Sequence, residues 1–407
     1  MIGIWLAVVC LGMLARFAVE RAGIPGYDFR YFWLAGELWG QGLSPYGDVF
    51  GVEGARLITS GHIPEIWPYP PNLWLPSIGL GLFDLTTAWH IWLCIQVAAV
   101  PAASAALAFC LPLDKLPGAC GRSVRVTRFG FFCLHTAFMA AIEATQLSIH
   151  SGPISIMIYL GLVLVICGIA GGRRGMVSAG LVVLFMKPQI GAAFALALVL
   201  SGRDGMRAVF SAALISLLLI VPPVLLKADV LLDWLHSVGG YDGVANKANL
   251  AASMTGIRNL VWTCFSWDMG NLAAMGPALA VSAGLAFHFR RAATRFGKSD
   301  RGPVLDLIIV QSLVVLALAP LHNYDFTLIG VSVLILTGVA GFRRLAAVAA
   351  IVLILHPNTL FIWIQGGTGG VVFPGSMLAT IGALLLLVVA LTRDVGARKA
   401  SDARMMV

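Results

Sequence analysis

The sequence predicts an all-α polytopic membrane protein, and three observations carry that prediction. Of its 407 residues, 59% are hydrophobic and 11% charged, more apolar surface than a water-soluble fold of this length can cover. Stretches such as 88–111, 129–150, 208–226, 270–289 and 372–392 each approach or exceed the roughly 20 apolar residues that cross a bilayer as helix. These runs are apolar on every side, as in LLLLVVALT near the C-terminus, without the two-residue alternation of a barrel strand. Backbone groups find no water inside a bilayer, so helix is the remaining solution.

The placement of charge orders the segments. Nineteen of the 27 Lys and Arg fall in six short stretches, 112–128, 171–175, 202–207, 290–303, 342–344 and 393–404, which the positive-inside rule puts in the cytoplasm. The net charge of +8 is then a matter of topology, and no nucleic-acid partner is expected. Residues 2–20 run outward as an uncleaved signal anchor. A first external loop covers about 21–87. Spans follow inward at 88–111, outward at 129–150 and inward at 154–171. Residues 176–201 have basic loops at both ends and Lys187-Pro188 at their middle, which predicts two half-helices folded as a hairpin from the cytoplasmic side. The chain rises at 208–226, leaves a second external loop at about 227–269, descends at 270–289 and rises at 304–320. After an external turn at 320–325 it descends to 341, ascends near 345–364 and descends at 372–392. About ten to twelve membrane segments result, in one domain spanning 1–407. The seven cysteines lie mostly in apolar spans, with no C-x-x-C pair and no zinc-like spacing to histidine, so neither a disulfide framework nor a metal site is expected.

The chemistry gathers outside. The first loop carries Asp28, Arg30, Glu37, Asp48, Glu53 and Glu65 among many aromatics, which favour the headgroup layer. Its run DFRYFWLAGELWGQG has apolar residues at Phe29, Phe32, Trp33, Leu34, Leu38 and Trp39, the pattern of an amphipathic interfacial helix with Asp28 at its N-terminal end. Asp28 reads either as a helix cap or as a general base made more basic by partial desolvation. The two roles are compatible. Lys187, deep in an apolar stretch, calls for an anion: a lipid-linked phosphate, or a pairing with Glu143, unless it snorkels to an interface. The turn PLHNYDF sets His322, Asn323, Tyr324 and Asp325 together; Asn and Asp suit a turn, whereas His and Tyr suit a ligand. In the second external loop, His236, Asn249, Ser253 and Arg258 are further candidates, Arg258 as a phosphate ligand or as an interfacial anchor.

Four segments in order, YDFRYFWLAGELWGQGLSPY, WPYPPNLWLP, MKPQIG and PLHNYDF, make the sequence resemble the polyprenol-phosphate-mannose-dependent mannosyltransferases, glycosyltransferase family 87 of the GT-C superfamily, which includes the α-1,2-mannosyltransferases of phosphatidylinositol mannoside synthesis. The family's usual Gly-Gln after the third span appears here as Gly152-Pro153. The resemblance implies a GT-C-like bundle in the plasma (inner) membrane with an extracytoplasmic site. It implies Asp28 as catalytic base; the residues themselves then offer Lys187, His322 and Arg258 as ligands of the donor phosphate, and Tyr27, Arg30, Tyr69, Gln189, Asn323, Tyr324, Asp325 and His236 as candidate substrate-binding residues. A polyprenyl-phosphate sugar would be the donor and a glycolipid or glycan the acceptor, with no cofactor and no metal. Mannose enters through the resemblance alone; the residues themselves leave other hexoses and pentoses open. No G-x-G-x-x-G follows a strand pattern, as a nucleotide-sugar enzyme would favour. The rival reading is a lipid or solute transporter, which also uses broken helices and buried charge; it would enlist Glu143, Asp306 and Lys187 near the midplane.

Overall fold

The computed structural model describes residues 2–59, 63–111, 113, 124–241, 251–296, 302–334, 342–364 and 375–392. Lys115 and Arg122 of the first basic stretch, Lys298 and Arg301, the tail from 393, Asn249 and residues 335–341 of a descending segment lie outside the described residues. The chain is helical in the order α1 (Ile2–Arg21), α2 (Tyr27–Gly40), α3 (Asp48–Leu57), α4 (Trp74–Gly81), α5 (Leu85–Cys110), α6 (Val124–Ala141), α7 (Glu143–Ser151), α8 (Ser155–Gly171), α9 (Arg174–Leu184) and α10 (Pro188–Ser201). Then come α11 (Arg203–Leu226), α12 (Val230–Tyr241), α13 (Ile257–Phe265), α14 (Gly270–Phe296), α15 (Gly302–Leu318), α16 (Ile329–Ser332), α17 (Phe342–Leu355), α18 (Pro357–Ile364) and α19 (Gly375–Leu391). Short 3-10 turns stand at Pro71–Leu73, Ala251–Ser253 and Asn323–Leu328.

This is an all-α polytopic membrane protein. α1, α5, α11 and α14 are long and apolar enough to cross a membrane, and α17 with α18 makes a fifth such unit bent by 87°. Five shorter apolar helices, α8, α9, α10, α15 and α19, stand among them. α8 is apolar all round and mostly buried, and α15 is buried from Leu307 to Ala317, as central helices of a bundle are. α11 is the opposite case: Phe210, Leu214, Leu217, Leu218 and Leu225 stay exposed, an apolar wall suited to contact with lipid.

Two expected spans are interrupted. The outward segment at 129–150 breaks at Ile142, whose extended backbone (φ −69°, ψ 138°) separates α6 from α7. The ascent at 345–364 turns at His356, before Pro357, because a residue preceding proline avoids the helical region. The breaks are tied to each other. Glu143 at the start of α7 accepts hydrogen bonds from Asn358 N (3.1 Å) and Asn358 Nδ2 (2.7 Å), satisfying amides at the start of α18. Glu143 is thereby accounted for, and it does not pair with Lys187.

The segment around Lys187 is two helices with its ends together. Arg174 at the start of α9 donates to Asp204 in the first turn of α11 (2.9 Å), and Ser178 Oγ donates to Ala208 O (3.0 Å). α9 therefore runs alongside α11 in the same sense. α10 reaches α11 through Gly202 alone, so it runs the other way, and the pair forms a hairpin whose apex is Phe185–Lys187. α8 and α9 are also antiparallel, which returns the apex to the Ser155 end of α8, about 25 Å from the basic Arg173–Arg174 turn by helical rise.

α2 forms over the predicted residues, but it does not present an open face. Ten of its fourteen residues are buried, Phe29 to Gly36 without interruption, and Tyr27, Asp28, Glu37 and Gly40 keep exposure. The polar face is small, so the aromatics are covered by protein on several sides: Phe32 meets Trp67 edge-on (5.5 Å) and Tyr69 (4.7 Å), and Phe29 meets Trp89 (5.1 Å).

Candidate active site

Asp28 is held by the seat of its helix. Gly26 caps α2 where a Cβ would lie 2.4 Å from Ser151 O, and Gly152, in the left-handed region at φ 76°, brings its backbone against Phe29, where a Cβ would come within 2.6 Å of Phe29 Cβ. Two α5 side chains fix that turn: Trp92 Nε1 donates to Gly152 O (2.9 Å) and Gln96 Nε2 to Pro153 O (3.1 Å). Gly152-Pro153 is thus a seat for α2. The capping role considered for Asp28 is not formed, because Gly26 is the N-cap and no side chain caps α2. The Asp28 carboxylate, half-buried in the second helical position, makes no hydrogen bond or ion pair with another described residue. Burial pushes its pKa up from 3.8 to about 7, with the Lys187 charge opposing and the Asp325 charge reinforcing that rise.

Lys187 and Asp325 form a buried ion pair, their side chains 5% and 1% exposed. Ser155, in the first turn of α8, bridges them: it donates to Asp325 Oδ1 (2.5 Å) and accepts from Lys187 Nζ (3.1 Å). The second Asp325 oxygen accepts from His322 N (3.3 Å), and Thr327 Oγ1 donates to Ser155 O (3.3 Å). Both Asp325 oxygens are engaged by protein. An ammonium has three N–H groups; two are used here, and Nζ lies 4.7 Å over the Tyr324 ring. The Tyr324 ring also lies 5.1 Å from the His322 imidazole. Burial drops the His322 pKa from 6.5 to about 4, with Asp325 opposing and Lys187 and Arg258 adding to the drop, so at neutral pH His322 is an uncharged donor and acceptor.

The second external loop closes on this turn. Thr255 N donates to Leu321 O (2.7 Å), and Gly256 at φ 81° sits where a Cβ would be 2.1 Å from Ala319 O. Arg258 lies close enough to influence His322 electrostatically, but its guanidinium is clasped by Asp268 through two bonds of 2.7 and 2.8 Å, with a third to Asn271 Oδ1 (2.7 Å). The Arg258 pair holds the Asp268 pKa down.

The predicted residues divide accordingly. Asp28, Lys187, His322, Tyr324 and Asp325 come together, with Asn323 inside the same turn and Arg258 at its border. Tyr27 contacts Tyr31 (6.0 Å) beside Asp28. Arg30 Nε donates to Pro25 O (3.2 Å), and the backbone carbonyl of Tyr69 accepts from Tyr46 OH (2.7 Å). Gln189 is half-buried in the first turn of α10, and His236 is exposed on α12 and does not join the cluster. Ser155, Asp268 and Asn271 escaped the sequence reading. Ser155 sits in SGPISIM beside the recognised motifs, and its serine at the start of an apolar helix is the one available signal.

The structure is a membrane-embedded helical bundle in which a carboxylate without a protein partner, Asp28, lies in the field of a buried lysine–aspartate pair. The chain belongs to glycosyltransferase family 87, whose model matches residues 67–320. That match contains Lys187 and Arg258 and stops short of Asp28 and the His322–Asp325 turn. No curated protein matches the chain.

Proposed function

We propose that this glycosyltransferase moves a hexose, mannose by the family resemblance, from a polyprenyl-phosphate donor to a hydroxyl of a lipid or glycan on the extracytoplasmic face of the plasma membrane. The observation that carries the reading is Asp28: a carboxylate without a protein partner, its pKa raised to about 7, in the field of Lys187 and Asp325. A general base is most effective with a pKa near the operating pH. Asp28 takes the acceptor hydroxyl proton as that oxygen attacks the anomeric carbon. The bond from that carbon to the phosphate oxygen breaks, its electron pair leaves with the polyprenyl phosphate, and attack from the opposite face inverts the configuration. The remaining N–H of Lys187 and the neutral His322 imidazole stabilise the departing phosphate, as donors aimed at developing charge do. Arg258 contributes through its field, since Asp268 occupies its fork. The transporter reading draws no support from a glycosyltransferase family.

The test is transfer of radiolabelled sugar from a panel of polyprenyl-phosphate sugars to membrane lipid extract by purified wild type and Asp28→Asn. Transfer by wild type, lost in a folded and donor-binding Asp28→Asn, is expected. Equal transfer by both removes Asp28 from the mechanism, and no transfer with any donor removes the donor assignment.

A further inference from the structure

Asn323 opens the 3-10 turn between His322 and Tyr324 and is 8% exposed. Its Oδ1 and its Nδ2 are both buried with no hydrogen-bond partner. Other buried amides leave only their oxygen idle, because Gln96 donates to Pro153 O, Asn259 to Ala251 O and Gln311 to Ser282 Oγ. Among the described residues, Asn323 is the one side-chain amide with both buried ends unused. Buried polar groups are almost always satisfied, so a doubly idle amide inside a charged cluster points to a ligand that completes it.

We infer that Asn323 reads two adjacent hydroxyls of the transferred sugar, its Nδ2 donating to one oxygen and its Oδ1 accepting from the neighbouring hydroxyl. This rests on the donor reading above and adds the ligand class: a sugar with a free vicinal diol. A carboxamide is suited to that task because it sets a donor beside an acceptor without charge. Its neighbours are committed elsewhere: Asp325 to Lys187, Ser155 and the turn, Arg258 to Asp268. Because a diol lacking one hydroxyl would leave one end of the amide unpaired in a dry site, Asn323 discriminates against deoxy sugars.

The test measures binding by the purified full chain of a bare polyprenyl phosphate and of the same lipid carrying mannose, glucose, arabinose or a deoxy sugar. Wild type is expected to prefer one diol-bearing lipid over the bare lipid by roughly tenfold or more. Asn323→Ala brings that preference close to unity and leaves the affinity for the bare lipid within about twofold. Thermal unfolding of Asn323→Ala is followed in parallel, and because the amide has no protein partner, the variant does not melt below wild type. A sugar preference retained by Asn323→Ala overturns the inference, as does a variant that melts lower and loses both lipids equally. Wild type binding every lipid with no sugar preference overturns this inference alone, whereas wild type binding none of them removes the donor reading and this inference with it.

Discussion

At Asp28, burial and the lack of a bonding partner act in the same direction, and both carry consequences for pH. The base works ionised, so kcat/KM for transfer falls about tenfold per unit as pH drops below about 7. Asp28→Asn flattens that limb and lowers transfer by about 10²–10⁴-fold. Stability moves the other way. A carboxyl raised from 3.8 to about 7 contributes stability that is full below 3.8 and is lost as pH rises through 7. Asp28→Asn therefore melts above wild type at pH 8, and the gain shrinks as pH falls toward 4. Asp28, Lys187 and the His322–Asp325 turn were legible because polar groups in apolar or aromatic surroundings stand out locally. Their partners were not: Ser155 lies 170 residues from Asp325, and Asn358 lies 215 from Glu143, and no local pattern encodes a contact at such separation.

Among the elements, the seat of α2 and the apex of the α9–α10 hairpin bear most directly on the site. Gly152→Ala adds a Cβ within 2.6 Å of Phe29 Cβ at a backbone angle that disfavours side chains. It is expected to cost about 1–3 kcal/mol of stability and, by shifting Asp28, to lower kcat by about a hundredfold with a smaller change in donor KM. At the apex, Lys187→Met or Asp325→Leu alone strands a buried charge and destabilises by about 3–5 kcal/mol. The double variant recovers much of that in a thermal or denaturant measurement while remaining inactive, which separates the pair's structural role from the lysine's role at the phosphate. The hairpin was readable from basic loops on both sides of Lys187-Pro188. The breaks at Ile142 and His356 were less so, because the apolar runs containing them are continuous in hydropathy and the Glu143–Asn358 contact that joins them spans 215 residues.

For the molecule as a whole, the bundle has a basic end and a site end, and the positive-inside expectation turns that polarity into a labelling pattern. Cys264 on α13 is exposed and lies on the loop that closes over the site. A membrane-impermeant maleimide is expected to modify Cys264 in intact cells and to reach Arg173→Cys only after permeabilisation; the reverse pattern would invert the topology. The order of synthesis adds a second asymmetry. Lys187 precedes its counter-ion by 138 residues, so at ordinary translation speeds about 7–30 s pass between the two leaving the ribosome. During that interval a cation at the tip of a half-inserted hairpin has no mate, and the nascent chain cannot close around it. Completion of the fold is thereby deferred to the last third of the polypeptide. Chains cut short before Asp325 are left with an unneutralised lysine in the membrane, carrying the cost of a buried charge without its mate.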